Sequence, residues 1–248
     1  MSSGRLDRID MLRAVAMLWM TAYHFAYDLD FFRLIDQDFH RDPFWTWQRT
    51  AIVSGFLFTA GLSQAVALAQ GQGWPRFWKR WAQVAGAALL VSAGSALMFP
   101  KTFIYFGVLH GIAVMLIVVR LTAGWGAWLW LLGALAVAAK FIAPVVIVAV
   151  PALAVLNTPG LNALGFVSRL PMTEDYVPLL PWLGVMWWGV AAGQWALRQR
   201  PQWLGAGDPP ATGLRRGLAV LGRWSLSYYL LHQPVLIGGL TAVLWLLR

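Results

Sequence analysis

The chain has 248 residues, of which 59% are hydrophobic and only 12% are charged. Soluble domains carry about twice that charged fraction, so the composition excludes a water-soluble globule and a disordered chain. The chain has no cysteine, which excludes disulfides, thiolate metal sites and a cysteine nucleophile, and its net charge of +9 indicates a positive-inside bias rather than nucleic-acid binding.

Seven apolar runs are long enough to cross a bilayer, which takes about 20 mostly apolar residues. They predict an all-α, polytopic transmembrane bundle that forms a single domain, residues 1–248. The first run lacks a small-residue cleavage site and is expected to remain as a helix. A further segment, Ala143–Leu156, is short and contains two prolines; it is an eighth span, a re-entrant piece or an extension of the preceding helix. The predicted spans are Ile9–Tyr27, Trp47–Ala69, Arg80–Met98, Phe103–Arg120, Thr122–Ile142, Val177–Leu197 and Ser225–Leu247.

Positive charge sets the expected orientation of these spans. Arginine and lysine cluster before the first span, in the second connection and before the last span, so we expect a cytoplasmic amino terminus. The connections Asp28–Thr46 and Asn157–Tyr176, which contain acidic residues, then lie outside. This arrangement favours seven spans, with the carboxyl terminus outside.

The first span contains ionisable residues, which are costly in a membrane and therefore functional candidates. Asp10 and Arg13 are three residues apart on one helix face and are expected to pair. The pair either anchors the helix or presents Arg13 to an anionic group from the cytoplasm. Near the other end, Asp28 follows His24 by four residues and is expected to orient its imidazole. An interfacial histidine bonded to backbone or water is the alternative.

Later spans carry a second set of polar residues. Tyr105 and His110 lie in the fourth predicted span, within YFGVLHGI. The last span contains SYYLLHQP, in which Pro234 cannot donate a backbone hydrogen bond and opens the helix locally. Freed carbonyls at membrane depth must face protein or a water-filled cavity, so this segment lines a cavity or makes polar helix contacts. Its candidate residues are Tyr228, Tyr229, His232 and Gln233.

Acidic residues also precede the sixth span, in TEDYVPLLPW. Asp175 either stabilises a helix start or contacts a substrate at the outer mouth. Zinc-ligand spacing, a P-loop and a GxSxG motif are all absent from the sequence, so no metal is expected, and a nucleotide-driven pump and a serine hydrolase are disfavoured.

Four blocks of the sequence, taken together, resemble the catalytic domain of heparan-α-glucosaminide N-acetyltransferase and its short bacterial relatives. The blocks are RLDRIDMLRAVAMLWMTAYHFAYDL, YFGVLHGIAV, DYVPLLPWLGVMWWGVAAGQ and LGRWSLSYYLLHQPVLIG, in this order. The resemblance implies a bacterial inner-membrane enzyme that moves an acetyl or acyl group from cytoplasmic acyl-CoA to an amine or hydroxyl acceptor on the other side, such as a sugar or envelope glycan. It also implies a possible homodimer in the lipid bilayer.

The resemblance assigns roles to the candidate residues. His24 is the expected base and Asp28 its partner, while His40 in the following loop is a rival, because the lysosomal enzyme has its catalytic histidine in that loop. The inner half of the protein is expected to bind the coenzyme through Asp10, Arg13, Tyr228, Tyr229, His232 and Gln233. The substrate or oxyanion candidates are Tyr105, His110, Asp175 and, again, Gln233.

Two other functions fit the same residues. A small proton-coupled transporter or flippase would use them as a proton or substrate path, but the sequence shows no internal two-fold repeat. A membrane scaffold would tolerate their replacement. The sequence does not identify the acceptor or the length of the acyl chain.

Overall fold

The computed structural model of the protein describes residues 6–205, 207, 209 and 211–247. The described part of the chain is helical and contains no β-strand. Short 3-10 helices occupy Ala123–Trp125, Pro151–Asn157, Leu161–Leu164 and Pro201–Leu204. The α-helices are α1 (Asp7–Phe31), α2 (Pro43–Ala69), α3 (Trp74–Met98), α4 (Val108–Thr122), α5 (Trp128–Ala149), α6 (Leu179–Gln199), α7 (Gly213–Arg223) and α8 (Ser225–Leu246).

Five helices of the described chain are long and apolar enough to cross a membrane: α2, α3, α4 with its 3-10 extension, α5 and α8. The helices α1 and α6 fall on the two remaining predicted spans, and their 25 and 21 residues reach about 37 and 31 Å at 1.5 Å per residue. Neither α1 nor α6 combines the length and the apolar composition that the other five helices have. The structure therefore confirms an all-α chain with membrane-spanning candidates, while seven spans and a cytoplasmic amino terminus stay predictions.

Local sequence explains several helix ends. Asp42 accepts a hydrogen bond from the backbone N–H of Phe44 at 2.8 Å, so α2 begins at Pro43 behind an aspartate cap. The helices α3, α5 and α6 each end two residues before a proline. The segment Ala143–Leu156 is divided: α5 continues through Pro144 to Ala149, and a 3-10 helix follows. The first part is thus an extension of the preceding helix, and the segment forms no separate α-helix.

The predicted start of the fourth span at Phe103 was wrong. Phe103 and Tyr105 lie in the connection before α4, which begins only at Val108. The physical reason is a cap supplied from far along the chain, because Asp175 Oδ2 accepts a 2.7 Å hydrogen bond from the Val108 N–H. Gly107 permits this approach, since a Cβ at that position would collide with the Asp175 carboxylate.

The first of two compact units contains Met1–Phe56 and Gln202–Arg248. In it α1 packs against α7 and α8. Gly222 of α7 lies directly against the backbone of Asp10, where a Cβ would collide with the Asp10 carbonyl. Its apolar core is built on Met20, Tyr23, Phe39 and Ile52, against which aromatic side chains of α1, α2 and α8 pack.

The second unit contains Leu57–Pro201. Here α5 packs along α6, and α4 packs against both α3 and α6. Small residues allow close contacts between helix backbones: Gly61 of α2 meets Met186 and Gly189 of α6, and Gly133 of α5 meets Gly184. Close approach through small residues is the usual way that apolar helices associate where water provides no driving force.

Candidate functional site

A cluster of polar side chains joins α1 and α8 in the first unit. The rings of His24 and His232 are 5.1 Å apart between centroids, with 63° between their planes. His24 is half-buried and makes no hydrogen bond with any residue that the structure describes. Its imidazole faces a histidine of α8, and neither ring nitrogen has a hydrogen-bond partner among the described residues.

Asp28 lies one turn beyond His24 and is only 2% exposed. Its Oδ1 accepts a 2.6 Å hydrogen bond from Nε2 of Gln233. The predicted pairing of His24 with Asp28 is therefore wrong. The Asp28 carboxylate instead binds the side-chain amide of Gln233 on α8. Gln233 was predicted to bind the coenzyme, and its partnership with Asp28 was not foreseen.

A contact within α8 determines the tautomer of His232. Its Nδ1 lies 2.7 Å from the carbonyl oxygen of Tyr229, which only accepts, so Nδ1 carries the proton and Nε2 keeps its lone pair. The ring of Tyr228 stacks on that of His232 at 4° between planes. The Thr21 hydroxyl donates its proton to the Met17 carbonyl. The Tyr228 hydroxyl lies 2.7 Å from the Thr21 hydroxyl and therefore donates to it.

His40 lies outside this cluster, in the loop between α1 and α2. It lines a cavity of about 260 Å³ together with aromatic and carboxylate side chains, among them Tyr27, Asp30, Asp36, Asp38 and Phe39. The backbone N–H groups of His40 and Arg41 are held by Asp38 Oδ1 at 3.0 and 2.9 Å. The loop is therefore ordered around an acidic pocket, which we call the outer pocket.

The predicted pair at the other end of α1 is confirmed. Arg13 Nη1 lies 2.7 Å from Asp10 Oδ1, and it also donates to the carbonyl of Gly222 at 3.2 Å. Sequence reasoning missed Arg223, whose guanidinium contacts Asp7 at 2.6 Å and Asp10 at 3.7 Å. The network thus ties α7 to the start of α1, and no local signal could reveal a contact between residues 216 positions apart.

His110 has a structural environment in the second unit. The Gly107 N–H donates to His110 Nδ1 at 3.3 Å, so the Nε2–H faces Ser92 Oγ at 3.0 Å. Ser92 in turn donates to the carbonyl of Ile104 at 2.6 Å. Both ring nitrogens are occupied, and the histidine holds the connection between α3 and α4. Its predicted oxyanion role stays untested.

The other two candidates of this unit also have protein partners. Asp175 caps α4, and the Tyr105 hydroxyl accepts a 2.7 Å hydrogen bond from the buried Asn162. Tyr176 donates to the Asn162 carbonyl at 2.6 Å. Burial raises the pKa of the Tyr176 hydroxyl, and the neighbouring Tyr105 raises it further, so this donor stays protonated. Asn162 was missed, because nothing in its local sequence marks it as buried.

The described residues contain no group of three or more histidine, cysteine or carboxylate side chains placed to hold a metal ion. The fold and these clusters together define a polytopic helical membrane protein with polar groups buried between its helices.

The sequence profile of the family described as "Heparan-alpha-glucosaminide N-acetyltransferase, catalytic" matches residues 5–234. The chain belongs to this family, which indicates a membrane acetyltransferase and confirms the resemblance drawn from the four sequence blocks. No curated protein and no solved structure gives a significant match to the chain.

Proposed function

We propose that the chain transfers an acetyl group from cytoplasmic acetyl-coenzyme A to an amine or hydroxyl acceptor, a sugar or envelope glycan, at the outer face of a bacterial cytoplasmic membrane. The family supports acetyl transfer, and its description supports an amino sugar as the first acceptor to test. The observation that carries the proposal is the contact between the rings of His24 and His232 beside the buried Asp28. Burying polar side chains between apolar membrane helices costs free energy, so such clusters mark functional sites.

His24 is the proposed general base. The acceptor nitrogen or oxygen attacks the thioester carbonyl carbon; a C–N or C–O bond forms, the C–S bond breaks, and the coenzyme leaves as a thiolate. His24 takes the proton that the acceptor loses and returns it to the sulfur, so protons and charge balance. Base assistance of this kind contributes about 10²–10⁴-fold to a rate. The half-buried imidazole of His24, which makes no hydrogen bond with the described residues, suits this role.

The outer pocket is the proposed approach for the acceptor. It lies where α1 ends, and its carboxylates and aromatic rings offer hydrogen-bond acceptors and apolar faces, the mixture that small polar ligands require. His40 lines this pocket and is the alternative base. The two histidines predict different kinetic behaviour, because a pocket residue affects acceptor binding more than the chemical step.

The inner end of the first unit is the proposed approach for the coenzyme. Guanidinium groups bind phosphates in a bidentate manner. Arg13, oriented by Asp10, is the proposed phosphate contact, and Arg215 and Arg216 of α7 are exposed and add positive charge. Tyr228 and Tyr229 are proposed to contact the pantetheine arm, together with the other α8 residues predicted from sequence.

Release of the coenzyme thiol tests this function. The purified protein in detergent receives acetyl-coenzyme A and glucosamine, and free thiol is measured with a disulfide reagent. Because the chain has no cysteine, every thiol detected belongs to the coenzyme. We expect thiol release that requires the acceptor and is lost in His24→Gln with an unchanged melting temperature. Full activity of His24→Gln would overturn His24 as the base, and no transfer to any amine or hydroxyl compound would overturn the function.

A further inference from the structure

The helix α7 (Gly213–Arg223) is too short to cross a membrane. Its 11 residues reach about 16 Å at 1.5 Å per residue, about half the thickness of a bilayer core. Only Trp224 separates it from α8, which is one of the five helices long and apolar enough to cross a membrane. A short helix that directly precedes such a span belongs at the membrane surface, where that span begins.

One face of α7 is apolar and only partly covered by protein. Leu214, Leu218 and Leu221 are four and three residues apart, a spacing that places them on one side of a helix. Leu214 is 80% exposed, and the other two leucines are half-buried. The packing of α7 on α1 uses a different face, on which Ala219 is buried and Gly222 contacts the α1 backbone. The leucine face is therefore left for a partner outside the described residues.

Two of the three arginines of α7 have no partner among the described residues, and the helix contains no acidic residue. Arg223 pairs with the aspartates at the start of α1. Arg215 and Arg216 are exposed and make neither an ion pair nor a hydrogen bond with any described residue. They follow Leu214 directly, so they point about 100 and 200° away from it around the helix. Unpaired positive charge thus lies beside the apolar face.

Two exposed tryptophans accompany these residues. Trp224 is 66% exposed and Trp203 is 60% exposed. Arg8 of α1 donates to the carbonyl of Gln202 at 2.8 Å, so the segment that carries Trp203 is held at the same end of α1 that Arg223 contacts. Tryptophan side chains favour the membrane–water interface, and basic residues at that depth attract anionic headgroups. A nucleotide in water would require the positive charges but not the exposed leucine and tryptophans.

We infer that α7 lies in the plane of the membrane surface and binds anionic phospholipids. Arg215 and Arg216 donate to the headgroup phosphates, and Leu214 inserts at the boundary between headgroups and acyl chains. A lipid with a net negative charge is favoured over a zwitterionic one, because its headgroup carries no cation that offsets the phosphate. The inference does not depend on the proposed reaction. It leaves Arg13 as the proposed coenzyme contact and assigns the open charges of α7 to lipid.

Lipid titration of the full chain in detergent tests this surface. Gly217→Cys introduces a cysteine into a chain that has none, at an exposed position where an added Cβ meets nothing within 4 Å. A fluorophore on that cysteine reports binding beside Arg216. The probes are phosphatidylglycerol, phosphatidylcholine with the same acyl chains, and inorganic phosphate. We expect phosphatidylglycerol to bind at least about tenfold more tightly than either of the other two.

Charge variants locate the contact. Each charge near a membrane surface contributes about fivefold, so Arg215→Gln with Arg216→Gln should weaken phosphatidylglycerol binding by about 30-fold. Phosphatidylcholine binding should change by less than about twofold, and Arg215→Lys with Arg216→Lys should keep the phosphatidylglycerol affinity within about threefold. The matched control is Arg41→Gln with Arg169→Gln, which removes the same charge from two exposed arginines in other connections. This control should bind phosphatidylglycerol like the parent protein.

The melting temperature of the Arg215→Gln, Arg216→Gln variant should not change, because neither side chain has a described partner. Equal binding of the two lipids would overturn the inference, as would an equal loss in the control pair or an unchanged phosphatidylglycerol affinity in the glutamine pair. If inorganic phosphate binds as tightly as phosphatidylglycerol, the arginines bind a free anion instead.

Two further measurements separate the lipid from the coenzyme. Calorimetry should show that the glutamine pair loses less affinity for coenzyme A than for phosphatidylglycerol, and the reverse order would assign Arg215 and Arg216 to the coenzyme. Leu214→Gln should weaken the binding of both lipids by at least about threefold, since it removes the apolar contact. Unchanged binding of both lipids in Leu214→Gln would contradict an α7 that inserts into the membrane surface.

Discussion

Two histidine environments in the two units differ in how fully their polar atoms are paired. In the second unit, His110 uses both ring nitrogens, one with the Gly107 N–H and one with Ser92 Oγ. In the first unit, His232 uses one nitrogen and has the other buried and open, and His24 makes no hydrogen bond with the described residues. A histidine with both nitrogens paired has none left for a substrate, whereas an imidazole with an open nitrogen can still accept a proton or a hydrogen bond. The same residue type therefore has a structural use in one unit and, by our proposal, a chemical use in the other.

The largest expected effect distinguishes His24 from His40, which both lie in the first unit. Replacing the general base removes proton transfer, so His24→Gln should lower kcat by about 10²–10⁴-fold. His40→Gln should leave kcat within about twofold and raise the KM of the acceptor, because His40 lines the outer pocket. Steady-state thiol release at varied glucosamine concentrations measures both. A loss of kcat in His40→Gln with normal kcat in His24→Gln would exchange their roles.

The contrast predicts the opposite pattern for His110. His110→Leu leaves the Gly107 N–H without its acceptor and Ser92 without its donor, which should cost about 1–3 kcal/mol of stability. Activity per folded molecule should stay near that of wild type. Thermal unfolding and thiol release on the same preparation measure the two effects. A large loss of kcat without a loss of stability would place His110 in the reaction.

The packing of α7 on α1 predicts a third effect. Gly222→Ala places a Cβ against the Asp10 carbonyl and should destabilise the protein by about 1–3 kcal/mol. Gly217→Ala on the same helix is the control, since its Cβ meets nothing within 4 Å and alanine stabilises a helix by up to about 1 kcal/mol. Melting temperatures in detergent compare the two. Equal shifts would show that the close contact between α7 and α1 does not form.

The smallest effect concerns the cap of α4. Asp175→Ala removes the acceptor for the Val108 N–H and should cost about 1 kcal/mol. Asp175→Asn keeps an oxygen in place and should recover most of that stability. Thermal unfolding distinguishes the variants. A changed acceptor KM in Asp175→Asn would instead support the substrate role predicted from sequence.

The sequence predicted the elements that depend on local pattern. Each of the seven long apolar runs contains a helix, because bilayer length and continuous apolar composition are visible without tertiary information. The Asp10–Arg13 pair was equally predictable from its three-residue spacing.

Features that depend on distant residues were not predictable. The start of α4 is set by Asp175, which lies 67 residues away. Asp28 and Gln233 are 205 residues apart, so the nearby His24 was the only partner that the sequence suggested for the carboxylate. The segment after Pro144 was ambiguous because a proline within an apolar helix is tolerated when neighbouring groups satisfy the freed carbonyl.

A structure of the protein with bound coenzyme A tests whether acetyl transfer takes place at the α1–α8 cluster. We expect the coenzyme sulfur to lie within about 4 Å of the His24 imidazole, the reach of a hydrogen bond to sulfur. Its phosphates should lie toward the end of α1 that carries Arg13. If the sulfur instead lies beside His110 and Ser92 in the second unit, and no ligand contacts the His24 imidazole, the reaction does not take place at the α1–α8 cluster.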